Sequence, residues 1–138
     1  MIEYNKYKKT LQHLIVQFEN YRTLDKHQPK LIQEAVAESV IQRFETCYDC
    51  MWEILKRYLS EELGIPEVPH SPKPIFRLAF ENDLFISSIE AWLKYADARI
   101  GTSPDYNGKK AKVALKVINN FTKDAIALYE TMSGKAWK

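Results

Sequence analysis

The run Phe44-Glu-Thr-Cys-Tyr-Asp-Cys-Met-Trp52-Glu-Ile-Leu-Lys56-Arg-Tyr-Leu59 decides how the rest of the chain is read. Its apolar side chains continue a stripe that begins upstream: Ile32, Val36, Val40, Phe44, Cys47, Tyr48, Met51, Leu55, Tyr58 and Leu59 recur three and four residues apart. Side chains at that spacing stack on one face of a helix. Trp52 and Ile54 widen the stripe, which predicts burial on more than one side. Gly64 ends the helix, and Pro66 and Pro69 keep the following connection extended. A helix as broadly apolar as residues 40–59 predicts more surface than a small bundle covers, and hence a homodimer with two-fold symmetry. Cys47 and Cys50 form a C-x-x-C inside it. A redox pair needs a strand-to-helix junction and a zinc site needs two further ligands, so in mid-helix both read as small hydrophobes.

Outward from this helix the pattern stays helical. Tyr7, Leu11, Leu14, Ile15, Phe18 and Tyr21 mark a first helix, and Asp25-Lys-His-Gln-Pro29 a loop. Ser71-Pro72 starts a short third helix: the serine can cap free backbone donors, and proline at the first position gives up an N–H that had no partner. Asn82-Asp83 turns the chain into a fourth helix, about Phe85 to Ile100. After Asn107-Gly108 a fifth stripe runs Ala111, Ala114, Leu115, Ile118, Phe121, Ala125, Leu128, Tyr129 and Met132, ended by Gly134. The fold class is therefore all-α, an antiparallel up-and-down four-helix bundle with one short extra helix, in a single domain over residues 1–138.

Composition narrows the function classes. Hydrophobic residues are 46% and charged ones 28%, an ordinary globular mixture, and a net charge of +2 is too small for nucleic-acid binding by bulk electrostatics. Contact with RNA would be local, through a few Arg and Lys side chains. No apolar run spans a bilayer and the N-terminus has no signal-peptide core, so the expected location is the cytoplasm. No Glu-x-x-His pairs are present for a di-metal carboxylate bundle, so neither metal nor cofactor is expected.

Polar chemistry gathers where the fourth helix breaks. Gly101 falls where a left-handed cap belongs, and Pro104 forbids a regular continuation. Around that break stand Arg99, Asp97, Asp105, Thr102 and Ser103, the candidate binding residues, with the phenol of Tyr106 beside them. Glu45 and Asp49, four apart on the long helix, face the same way and offer Arg99 partners across the bundle or across a dimer interface. The plainer reading of Arg99 is an ion pair with Asp97, Asp105 or a carboxylate on another helix. Of Tyr106, it is a ring packed on the bundle end with its hydroxyl in water.

The run 44–59, Ser71-Pro72 with Ala79-Phe80 and Trp92, and the corner after Arg99 together resemble the nucleotidyltransferase substrate-binding proteins of the HEPN superfamily, which include the HepT-type toxins. That resemblance covers about Leu31 to Tyr129. It implies a dimerising helical bundle encoded beside a small nucleotidyltransferase, the two forming a toxin–antitoxin pair. In that reading the bundle cuts RNA without metal, and the partner silences it by adding adenylyl groups to the tyrosine of an R-x4-H-x-Y motif. The motif falls on Arg99 and Tyr106, but Pro104 stands in place of its histidine. Imidazole moves protons near neutral pH and proline has none to move. His13, His27 and His70 lie in or beside other elements. Arg99 keeps its fork of donors for a phosphate.

The sequence therefore favours a binding subunit of a small nucleotidyltransferase that presents Tyr106 for modification, with ribonuclease activity weak or absent. A ribonuclease using Arg99 with another proton donor is the second reading, and a helical interaction module without chemistry the third.

Overall fold

The long helix predicted from the 44–59 run is the spine of the structure, a computed structural model that describes residues 1–102 and 109–138, the side chains of 109–111 excepted. The described residues form five α-helices and no strand: α1 (Asn5–Thr23), α2 (Lys30–Arg57), α3 (Pro72–Glu81), α4 (Ile89–Thr102) and α5 (Lys109–Ser133). Helix α2 extends through one wider turn at Tyr58–Glu62, where the Leu63 N–H reaches back to the Tyr58 carbonyl at 3.1 Å. Gly64 then adopts φ +65°, a conformation open to glycine at little cost, and the helix stops where the sequence says it must. Gly134 ends α5 in the same way, at φ +72°.

Contacts between helix ends fix the directions. The Tyr7 hydroxyl, near the start of α1, donates to the Ala125 carbonyl at 2.7 Å, late in α5. At the far end of α1, Tyr21 shares a groove with Lys30 and Lys112, at the starts of α2 and α5. Helices α2 and α5 thus both run against α1. Arg99 and Thr102, at the end of α4, meet Glu45 in the middle of α2, while Tyr95 meets Asp124 late in α5. Helix α4 therefore runs with α1 and against the other two, and the four long helices go up and down as the patterning predicts.

The core is aromatic at its centre. Phe121 meets Phe44 edge-on at 5.0 Å and Tyr95 at 5.4 Å, and Trp92 stacks on Phe85 at 4.0 Å. Val40, Phe44, Cys47, Met51, Leu55 and Leu59 are fully buried by the chain's own helices. Trp52, which widens that stripe, is only half-buried, so the stretch 40–59 keeps an apolar edge beyond its buried stripe. The exposed large apolar side chains lie elsewhere, with Leu31, Ile86 and Ile100 the most open beyond Met1, and Phe80 is also exposed.

Two boundaries differ from the sequence reading. Helix α4 begins at Ile89, not Phe85, because Asp83 takes φ +58° and the Ser88 hydroxyl accepts from the Ala91 N–H at 3.3 Å. Ser87-Ser88 is an N-cap signal that an apolar count passes over. Helix α4 also continues through Gly101 and Thr102, so the glycine is a helical residue and not a cap. Ser71 occupies the N-cap position of α3 with extended backbone, but its side chain makes no capping bond.

Candidate functional site

Arg99 lies in the last turn of α4, where a cation is favoured by the exposed helix carbonyls. Its guanidinium reaches across to α2. Nε and Nη2 donate to the two Asp49 carboxylate oxygens at 3.2 and 3.0 Å, and Nη1 donates to Glu45 Oε2 at 3.2 Å. The forked Asp49 contact holds the guanidinium protonated beyond even its ordinary range, with Glu45 adding to the effect and burial working against it. The α2 spacing of four that puts two like charges on one turn is thus explained by the cation placed between them.

The remaining predicted residues divide. Thr102 is fully buried, and its hydroxyl lies 2.8 Å from both Glu45 Oε2 and the Arg99 carbonyl, so it steadies the clamp from inside. Asp97 turns away from Arg99 and pairs with Lys73 of α3 at 2.6 Å. Ser103, Pro104, Asp105 and Tyr106 lie outside the described residues.

Beside the clamp a cleft of about 570 Å³ opens between α2, the start of α3, and α4. Its walls are Tyr48 and Trp52 from α2, Ser71 to Pro74 from α3, and Ala96 and Ile100 from α4, with Asp49, Arg99 and Lys73 at its polar edge. Tyr48, Trp52 and Lys73 are not legible in the sequence as site residues: the two aromatics fall on the apolar stripe, and Lys73 is one lysine among many until the fold brings α3 against α4. None of His13, His27 and His70 is among its walls. Among the described residues no group of three His, Cys, Asp or Glu is placed to hold a metal ion.

The cysteines behave as mid-helix hydrophobes. Both are free, and burial pushes the Cys47 thiol up to about 12, which makes it a poor nucleophile.

The class of protein these features define is an all-helical bundle that carries a clamped arginine at the edge of a cleft between three of its helices. The chain belongs to the nucleotidyltransferase substrate binding protein-like family, whose model matches residues 2–134. It is 27% identical over 125 residues to the probable ribonuclease HepT of Haemophilus influenzae, covering 89% of this chain and 84% of that one. A crystal structure of a protein from Thermus thermophilus superposes with a TM-score of 0.70 at 25% identity, covering 93% of this chain and 96% of the other.

Proposed function

We propose that this chain is a HEPN-type subunit that docks a small nucleotidyltransferase and presents Tyr106 to it as an adenylyl acceptor, with its own ribonuclease activity weak or absent. Family membership supports the partner, since the family is described by substrate binding for a nucleotidyltransferase. In the transfer, the Tyr106 oxygen attacks the α-phosphorus of ATP, pyrophosphate leaves, and the phenolic proton passes to a base on the transferase.

The observation that bears most on the lost nuclease is the R-x4-P-D-Y stretch, in which Pro104 follows Arg99 where the family pattern has histidine. Metal-independent cleavage needs the ribose 2′-hydroxyl to lose a proton as it attacks phosphorus and the departing 5′-oxygen to gain one. Arg99 neutralises phosphate charge but does not exchange protons at neutral pH, and no imidazole lines the described cleft. Arg99 is therefore a phosphate-binding group here, and RNA is a ligand that it holds without cutting. A homodimer is part of this reading, and light scattering in solution checks it by mass.

The likeness to the probable ribonuclease HepT favours a second reading, an active ribonuclease silenced by adenylylation of Tyr106. The two readings predict different outcomes. Under the first, native protein leaves RNA intact and Pro104→His gains cleavage. Cleavage by native protein that Arg99→Ala abolishes rules the first out. After incubation with the partner and ATP, mass spectrometry should find an added adenylyl group on Tyr106, and an unmodified tyrosine removes that role.

A further inference from the structure

The cleft beside Arg99 has features that phosphate binding alone does not require. Its volume of about 570 Å³ lies within the range of small-molecule sites, roughly 300–1,000 Å³. One wall is the half-buried Trp52 indole, and another is built by Pro72 and Pro74. Tyr48, only 2% exposed, also lines it, yet its hydroxyl makes no hydrogen bond with any described residue. The Tyr48 oxygen itself is open to solvent at the cleft, so the polar edge of a ligand can take the place of water there.

The cations beside the cleft are already engaged. Arg99 is held by Asp49 and Glu45, and Lys73 by Asp97, so both cations at the edge of the cleft already have carboxylate partners. Paired cations draw a nucleic-acid backbone only weakly, so affinity comes chiefly from ring contact. Arg99 still offers something: of its five N–H groups, contacts to Asp49, Glu45 and Thr102 engage four, leaving one Nη2 N–H.

We propose that this cleft is a base subsite for one nucleotide of a ribonucleotide strand. The base stacks against Trp52, its polar edge meets the Tyr48 hydroxyl, and the attached phosphate takes the free Arg99 donor. The proposal rests on Arg99 as a phosphate-binding group and adds the residue that reads the base.

Two labelled probes of equal length test it, a hexaribonucleotide and its abasic sugar-phosphate counterpart, with each variant's fold checked by thermal melting. Trp52→Ala should weaken the hexaribonucleotide roughly tenfold and leave the abasic strand unchanged, and Trp52→Phe should restore most of the loss. The salt dependence should be shallow, with a log–log slope of about −1 or less in magnitude. Equal loss on both probes with Trp52→Ala, or no loss on either, overturns the subsite, as does failure of native protein to bind the hexaribonucleotide. The underlying phosphate reading fails separately: Arg99→Ala should weaken both probes, and no effect on either removes that contact while the Trp52 result stands.

Discussion

Arg99 is held by Asp49 and Glu45 at once, and the two contacts differ in what they contribute. The Glu45 side chain is 15% exposed and that of Asp49 is 52% exposed, so water screens the second far more. Removing the cation leaves two carboxylates one turn apart, one of them largely desolvated. Arg99→Ala is therefore expected to cost about 1–3 kcal/mol of stability in urea unfolding, and Asp49→Asn less than about 1 kcal/mol. Equal losses for the two would mean the clamp is not organised around the buried partner. A mixed role follows from this geometry: the same guanidinium that binds α4 to α2 is the group proposed to meet a phosphate, and arginine can change partners without changing charge.

Between helices another confined polar contact is at Asp124 of α5, which is 5% exposed. It accepts from Ser87 Oγ at 2.5 Å and from the Tyr95 hydroxyl, joining the loop before α4, and α4 itself, to α5. Burial, with the adjacent carboxylate, keeps the Tyr95 phenol protonated well above its ordinary range. Tyr95→Phe leaves a buried carboxylate one donor short and should cost about 1–3 kcal/mol. A loss below roughly 0.5 kcal/mol would assign the burden to Ser87. Apolar pattern alone places the start of α4 too early, because Phe85 has the right spacing for the helix. It instead lies outside the helix and stacks on Trp92.

For the molecule as a whole, the buried ionisable groups set an alkaline limit. Cys47 is pushed up to about 12, and Tyr7, fully buried, is also raised, in both cases chiefly by burial. A group that holds its proton more tightly when folded gives stability that is whole below its unfolded pKa and declines as pH rises toward the folded one. The melting temperature should therefore fall from about pH 9 towards pH 12. Cys47→Ala should flatten the part of that fall due to the thiol, and an unchanged profile would show that other groups set the limit. The exposed Ile100 and Val113, which border one shallow groove, are apolar side chains close to the Arg99 end of the bundle.

The helices, their order and the stops at Gly64 and Gly134 follow from local rules, because apolar spacing and backbone freedom are properties of neighbouring residues. So does the pairing surface of Glu45 with Asp49, since one turn of helix fixes their common direction. Which carboxylate Arg99 takes is open in the sequence among Asp97, Asp105 and those of another helix, and only the packing of α4 against α2 chose Asp49 and Glu45 and sent Asp97 to Lys73. The cleft belongs wholly to the tertiary structure: Tyr48 and Trp52 come from one helix, Pro72 and Lys73 from another, and no spacing along the chain records that they share a wall.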